Sequence, residues 1–285
     1  MSVYNAKIIE FANGVVEVRK YHKPVNGHLM YLSQEECAER QQKGKEEREY
    51  NDLMEYSEIV FNPFTETDER LYDYCYEDIK EQRKLESQRR SRNRTINAIY
   101  NISRSCAWEY FATLTFAPEV VDRYDFDKCM KKANQWFNNQ QKRKAKDLQY
   151  IFVPEQHKDG AWHIHGLLAQ VESMSFVDSG KRNNGKVIYN MDGWKYGFST
   201  ATLVDDVRKV STYITKYITK ELCEHTLGKK RYYRSRNIPE PIVTEILVEP
   251  NEDNFIDILA DSLGKEVTYE KTVSGYVDID YKYLI

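Results

Sequence analysis

Two histidines at alternate positions of a strand-forming run are the clearest candidates for chemistry in this 285-residue chain. They lie in the stretch from residue 150 to residue 170, YIFVPEQHKDGAWHIHGLLAQ, where strand-forming residues flank a Lys-Asp-Gly turn. That composition predicts a β-hairpin. Residues two apart in a strand face the same side of the sheet, so His163 and His165 would project together. Two imidazoles held side by side provide two of the ligands of a metal site.

The third ligand depends on the length of the hairpin loop. A loop with an odd number of residues places Glu155 directly opposite His163, whereas a two-residue Asp-Gly turn places Gln156 there. We favour Glu155, because a carboxylate adds the negative charge that a divalent ion requires and an amide does not. Two alternate histidines are also compatible with a half-buried strand that binds no metal.

A second candidate for chemistry is the segment from Asp205 to Leu222, DDVRKVSTYITKYITKEL. Its apolar residues recur at helical spacing and predict one amphipathic helix that begins at the two aspartates. A neighbouring row of this helix carries two phenols and two ammonium groups: Tyr213, Lys216, Tyr217 and Lys220. Side chains four apart stack along a helix, so the row would form one exposed, cationic, hydroxyl-bearing face. The alternative is that both tyrosines are packing residues in a chain with 22 tyrosines.

The segments around these residues predict the elements that would position them. Tyr110–Phe116 (YFATLTF) and Phe198–Val204 (FSTATLV) have the composition of strands. A Gly/Asn-rich loop is expected from Gly180 to Gly185. Asp125 is placed to cap a helix with an apolar face made of Phe126, Cys129, Met130, Ala133 and Phe137.

A basic helix is expected from Arg83 to Arg104. Its second half would dock through the stripe Ile96, Ile99 and Ile102. Its first half, which includes Arg89 and Arg90, would face either solvent or the phosphates of a nucleic acid.

The N-terminal part predicts structure without recognisable chemistry. Asn13-Gly14 predicts a hairpin within Lys7–Lys20. Helical stretches are expected at Ser33–Tyr56, which starts with a Ser33/Glu36 capping box, and at Asp68–Lys80.

Charge is segregated along the chain. Residues 1–80 hold 10 basic and 17 acidic residues, residues 81–236 hold 29 and 17, and residues 237–285 hold 3 and 11. The basic middle segment indicates a polyanionic partner. Five unclustered cysteines give neither a disulfide framework nor a zinc motif, which favours a reducing cytoplasm. No apolar run approaches the ~20 residues of a membrane span, and residues 1–20 lack a signal-peptide pattern.

Together these motifs resemble those of HUH endonucleases, and their order and repeat resemble the two-tyrosine rolling-circle replication initiators of bacteriophages and plasmids. The resemblance covers about Trp108 to Pro241. It includes the YFATLTF strand, an upstream glutamate, His-Ile-His, the Tyr-x-x-Lys-Tyr-x-x-Lys helix and the basic segment KRYYRSR. Residues 1–80 and 242–285 resemble nothing that we can name.

The resemblance implies an α+β fold with a central antiparallel sheet of about five strands, HUH/Rep-like and ferredoxin- or RRM-like, with flanking helices. The histidine hairpin would lie beside the YFATLTF strand and the tyrosine helix across the metal. It also implies three parts: an acidic N-terminal extension (1–80), an HUH endonuclease domain (81–241) and an acidic C-terminal extension (242–285).

The resemblance also implies roles for individual residues. His163 and His165, with Glu155 by position, would bind Mn²⁺ or Mg²⁺, although imidazole ligands also accept Zn²⁺. Tyr213 or Tyr217 would attack the scissile phosphate, and Lys216 or Lys220 would favour the phenolate. DNA would be bound by Arg231, Tyr232, Tyr233, Arg234 and Arg236, together with Arg89 and Arg90.

The expected function is therefore nicking and rejoining of single-stranded origin DNA through a 5′-phosphotyrosine intermediate, in the cytoplasm of a bacterial host. The chain has no GxxxxGK[ST] sequence, so a host or element-encoded helicase would have to unwind the duplex. A relaxase or transposase would share the chemistry. A regulator that binds DNA on the same fold without cleaving it is the alternative of a different class.

Overall fold

The computed structural model describes residues 3–26, 42–47, 51, 57–62, 67–72, 75–249, 254–274 and 277–285. The fold is α+β, as predicted, with antiparallel sheets of seven and five strands and a separate two-stranded hairpin among the described residues. Two compact units are present, and each is described by itself. One comprises Met1–Tyr4 and Pro24–Ser91, and the other comprises Asn5–Lys23 and Arg92–Ile285.

The seven-stranded sheet carries both candidate chemical segments. Its order is β11-β6-β7-β5-β10-β9-β8. The strands are β5 (Tyr110–Thr115), β6 (Gln149–Gln156), β7 (Trp162–Ala169), β8 (Phe176–Asn183), β9 (Lys186–Met191), β10 (Ser199–Leu203) and β11 (Tyr233–Arg234). The histidine hairpin β6–β7 lies beside the YFATLTF strand β5, as predicted. The sheet is wider than the expected five strands because β8 and β9 form a further hairpin at one edge and β11 extends the other.

Two helices help to form the core of this sheet. Helix α1 (Cys75–Arg104) contributes the buried residues Ile99 and Ile102 to the core cluster, so the predicted docking through its second half is confirmed. Helix α2 (Phe126–Arg143) buries the predicted apolar face and is capped by Asp125, which accepts a hydrogen bond from the backbone N–H of Lys128 at 3.0 Å.

The five-stranded sheet joins strands from both ends of the sequence. Its order is β12-β1-β2-β14-β13. The strands are β1 (Val3–Glu10), β2 (Val16–Asn26), β12 (Ile242–Ile246), β13 (Val267–Val273) and β14 (Ile279–Leu284). Val16 and Leu284 pack with Ile256 and Ala260 of helix α5 (Phe255–Leu263) in a second small core. The predicted hairpin around Asn13-Gly14 is confirmed, whereas its pairing with the C-terminal strands was not predicted.

Three sequence predictions need correction or lie outside the description. Asp68–Lys80 was expected to be helical, but β4 (Thr67–Tyr72) pairs with β3 (Ser57–Asn62), and the helix begins only at Cys75. The expected loop at Gly180–Gly185 is largely the β8–β9 hairpin, because Asn184-Gly185 alone provides the turn. The Ser33/Glu36 capping box lies outside the described residues, and only residues 42–47 and 51 of that stretch are seen as helix.

None of the helices in the described ranges combines the length and the apolar character that crossing a membrane requires.

Candidate functional site

The loop of the histidine hairpin sets which residue faces the histidines. The backbone N–H of His157 donates to the Ala161 carbonyl at 2.8 Å, which leaves a three-residue loop. Gly160 in this loop has φ = 85°, a conformation that glycine adopts without steric cost. Because the loop is odd in length, Glu155 pairs with His163 in the ladder and Gln156 does not. The predicted register is confirmed.

Glu155, His163 and His165 bring three potential ligand atoms together. The Nε2 atoms of the two histidines are 2.8 Å apart, and each lies 2.8 Å from Oε2 of Glu155. This group could hold a metal ion. The spacing fits, because ligand atoms about 2.1 Å from one ion and at right angles to each other are about 3.0 Å apart. Both imidazoles are buried, with 3% and 7% of their surface exposed, whereas Glu155 is half-buried.

Thr113 on β5 supports this cluster from the neighbouring strand. It pairs with His165 in the ladder, and its Oγ1 lies 3.0 Å from His165 Nδ1. An Nδ1–H that donates to Thr113 leaves the lone pair of His165 on Nε2, the atom that faces the cluster. The Nδ1 atom of His163 is buried without a hydrogen-bond partner in the described part of the chain, and the ring of His157 lies 4.0 Å from the His163 ring. Sequence reasoning missed Thr113, although its position on YFATLTF opposite a histidine could have indicated it.

The electrostatics of the cluster favour an ionised carboxylate beside neutral imidazole. Hydrogen bonds from His163 and His165 lower the pKa of Glu155 to about 2. Burial lowers the pKa of His165, and the hydrogen bond to Glu155 opposes that shift only in part. A deprotonated carboxylate and a neutral imidazole are the forms in which these groups bind metals.

The tyrosine segment is two helices and not the single predicted helix. Helix α3 (Val207–Thr215) is capped by Asp206, which accepts from the backbone N–H of Lys209 at 3.1 Å. Tighter i→i+3 hydrogen bonds follow Thr215, and Thr219 then caps helix α4 (Lys220–His225). A threonine side chain that bonds the N–H of Leu222 offers the backbone an N-cap in place of a continuous helix. The break therefore lies between Tyr213 and Lys220.

Both tyrosines nevertheless lie beside the histidine cluster. The ring of Tyr217 stacks on the ring of His165, with centroids 3.7 Å apart and planes 11° apart. The Tyr217 hydroxyl donates to the Tyr213 hydroxyl at 3.2 Å. Phe111, two residues before Thr113 on β5, packs against both phenol rings with centroids 5.3 Å and 6.3 Å away. Tyr217 is half-buried, whereas Tyr213 is 44% exposed.

The two lysines of the predicted row do not lie in one row with the tyrosines. Nζ of Lys216 is 5.1 Å from the centre of the Tyr213 ring, so it contacts the face of the phenol. Lys220 begins α4, where its ammonium group pairs with Glu224 at 3.8 Å. Burial raises the pKa of Tyr217, and the hydrogen bond to Tyr213 adds to this effect. In this arrangement the Tyr217 phenol is held in its protonated form.

A buried serine anchors the tyrosine helix to the end of α1. Oγ of Ser211 lies 2.9 Å from the carbonyl oxygen of Ser103, and it also bonds the Val207 carbonyl within α3. The indole N–H of Trp108 donates to the same Ser103 carbonyl at 2.6 Å. Since Ser211 is fully buried, the position of α3 is fixed two residues before Tyr213.

The basic segment after α4 is held against the sheet. Tyr233 and Arg234 form strand β11, which pairs with β6. The Tyr233 ring stacks on Phe152, with centroids 4.9 Å apart, and burial raises its pKa to about 12. Arg234 forms an ion pair with Glu240, and Tyr232 packs partly against the core.

The other arginines expected to bind DNA differ in exposure. Nη1 of Arg231 donates to Oγ1 of Thr95 at 3.3 Å, whereas Arg236 is exposed. Arg89 and Arg90 are exposed on α1 in the other compact unit.

These features define an α+β protein with a Glu/His/His cluster that could hold a metal ion, placed beside two tyrosines on an adjoining helix. Residues 109–222 match a family model that describes replication-associated proteins of the ORF2 group. The matched region runs from the residue before β5 into α4 and contains the whole cluster and both tyrosines. The match supports a role in the initiation of replication. No curated protein and no solved structure matches the chain.

Proposed function

We propose that this protein is a rolling-circle replication initiator that nicks and rejoins single-stranded DNA through a metal-assisted phosphotyrosine intermediate. The observation that carries the proposal is the contact of Tyr217 with His165, which places two linked phenol hydroxyls on the helix beside a ligand cluster. The family match supports the biological role, and the HUH-like order of the motifs supports the chemistry.

Tyrosine acts as the nucleophile in the proposed reaction. The Oη atom of Tyr213 or Tyr217 attacks the scissile phosphorus, forming a tyrosine–phosphate bond as the bond from phosphorus to the 3′ oxygen breaks. The phenol loses its proton and the leaving oxygen gains one, so the products are a 5′-phosphotyrosine and a free 3′-OH. Attack of a 3′-OH on the same ester reverses the step, so rejoining requires no nucleotide cofactor.

Glu155, His163 and His165 would hold Mn²⁺ or Mg²⁺, which would supply Lewis-acid polarisation of the phosphate when bound. Thr113 keeps the His165 ring in the orientation that directs Nε2 into the cluster.

The tyrosine hydroxyls must also be activated, because a free phenol has a pKa of about 10. The hydrogen bond from Tyr217 to Tyr213 gives the proton of Tyr217 a place to move when Tyr213 has already reacted or ionised. Lys216 lies on the face of the Tyr213 ring, where its positive charge favours the phenolate of that residue. Two hydroxyls 3.2 Å apart would let one tyrosine retain the 5′ end while the other cleaves the regenerated origin.

The direct test is incubation of the full chain with random single-stranded DNA and Mn²⁺, followed by a denaturing gel for covalent protein–DNA adducts. We expect adduct from the wild type and none from the double variant Tyr213→Phe/Tyr217→Phe, which should still bind DNA. The matched control is Tyr189→Phe, a tyrosine on the core side of the same sheet that packs edge-on against Tyr110. An adduct from the double variant would contradict the proposal.

A further inference from the structure

A trough of about 570 Å³ runs from the candidate metal cluster across the seven-stranded sheet. Its near end is formed by His165 and the two tyrosine rings. Its far end is formed by residues of β9 and of the start of α3, including Lys186 and Lys209. The tyrosine cluster occupies only the near end, so most of the trough is unassigned by the chemistry above.

The floor of the trough is a row of threonines on one face of the sheet. Thr113 of β5 pairs with His165 of β7 on one side and with Thr200 of β10 on the other. Thr202 pairs with Phe111 in the same ladder. Side chains alternate along a strand, and the intervening Ala201 is buried in the core, so Thr200 and Thr202 share the face of the metal cluster.

The hydroxyls of this row differ in what they bind. Thr113 is engaged by Nδ1 of His165. Thr200 and Thr202 line the trough and remain partly exposed, and their hydroxyls form no hydrogen bond with the described part of the chain. By contrast, the hydroxyls of Thr212 and Thr215 on the adjoining helix bond backbone carbonyls. Two adjacent hydroxyls without partners are therefore open to a ligand in the trough.

The walls combine aromatic, acidic and basic groups. The rings of Phe111 and Tyr213 stand nearly perpendicular, 76° apart, and offer an aromatic surface. The carboxylate of Asp205 lies at the far end, where it pairs with Lys186, and Lys209 is largely exposed at the rim. Aromatic faces suit stacking with a base, hydroxyls and carboxylates accept hydrogen bonds from base amino groups, and lysines suit phosphates.

We propose that this trough binds the base of a nucleotide adjoining the scissile phosphate and sets the base preference of nicking at that position. The inference rests on the proposed nicking function and adds a specificity site to it. Thr200 and Thr202 are the residues that read the base. Because acceptors predominate around them, the trough favours adenine, cytosine or guanine over thymine, which has no exocyclic amino group.

The test uses a randomised single-stranded oligonucleotide library with Mn²⁺. Sequencing the adducted strands and the released 3′-OH strands gives the base preference on both sides of the nick. We expect the wild type to disfavour thymine at one position adjoining the nick. Thr200→Val/Thr202→Val should lose about tenfold of that discrimination, as removal of one to two hydrogen bonds implies, and should keep its preferences elsewhere.

Two control variants separate base reading from a general loss of structure. Thr200→Ser/Thr202→Ser keeps both hydroxyls and should keep the preference, which a purely steric role of the threonine methyl groups would not predict. Thr244→Val places the same change on exposed β12 of the other sheet and should leave the preference unaltered. An unchanged preference in the valine variant, or no preference beside the nick in the wild type, would overturn the trough assignment alone. Failure of the wild type to form any adduct would overturn the nicking function and this inference with it.

Discussion

Replacing Thr113 with Val should weaken metal binding without removing any ligand atom. The two side chains are nearly isosteric, so the change removes the 3.0 Å contact with Nδ1 of His165 and little else. His165 is only 7% exposed, so water has little access to replace that hydroxyl. Loss of such a supporting hydrogen bond typically lowers metal affinity by about 10- to 100-fold, or about 1.4–2.7 kcal/mol.

The assay is titration of the metal-free protein with Mn²⁺, followed by calorimetry or by the electron paramagnetic resonance signal of free Mn²⁺. Thr200→Val is the matched control, because Thr200 is the cross-strand partner of Thr113 and its hydroxyl contacts no ligand. We expect affinity to fall in Thr113→Val and to be retained in Thr200→Val. Equal affinity in Thr113→Val and the wild type, or an equal fall in both variants, would refute the supporting role of Thr113.

Three further predictions address the ligands, the DNA surface and the tyrosine helix. His163→Ala, His165→Ala and Glu155→Ala should each abolish adduct formation in a folded protein, whereas Gln156→Ala should retain it because Gln156 pairs with Trp162 and not with His163; undiminished adduct in a histidine variant would count against a metal role. Affinity for single-stranded DNA, measured by fluorescence anisotropy, should fall steeply with salt, and exposed Arg236→Ala should reduce the log–log slope by about 0.7, more than Arg234→Ala, since Arg234 is already paired with Glu240; equal slopes in all three proteins would contradict this. Asp206→Ala should cost about 0.5–2 kcal/mol of stability in urea unfolding at neutral pH; because its backbone hydrogen bond to Lys209 lowers the pKa of Asp206 in the folded state, this contribution is present above the ordinary aspartate pKa of about 4 and is lost as pH falls through the lower folded value, so a difference that persists in acid would point to a cause other than the charged cap.

Local patterns in the sequence predicted the histidine site well because strand geometry leaves few choices. Alternation fixed the common face of His163 and His165, and the parity of the loop reduced the third ligand to Glu155 or Gln156. Only the three-dimensional structure decides loop length, through the bond from His157 to Ala161. Thr113 could have been predicted only with the register of β5 against β7, which depends on long-range pairing.

The errors arose where tertiary structure and capping override periodicity. The apolar stripe from Val207 to Leu222 fits a continuous helix, yet the cap formed by Thr219 starts a new one. The composition around Asp68 is charged and compatible with a helix, whereas pairing of β3 with β4 makes it a strand. The five-stranded sheet joins β1 with β12 across more than 230 residues of sequence, and no local pattern indicates such a partner.

Peptide mapping of the covalent DNA adduct tests the central claim most directly. The wild type and the variants Tyr213→Phe and Tyr217→Phe would be incubated with single-stranded DNA and Mn²⁺, digested, and analysed by mass spectrometry for nucleotide-bearing peptides. The account predicts that the nucleotide is attached to Tyr213 or Tyr217, that each single variant redirects it to the remaining tyrosine or reduces it, and that the double variant yields none. Attachment at any other residue, or loss of one tyrosine with no effect on nicking or on the release of closed circles, would contradict the two-nucleophile mechanism.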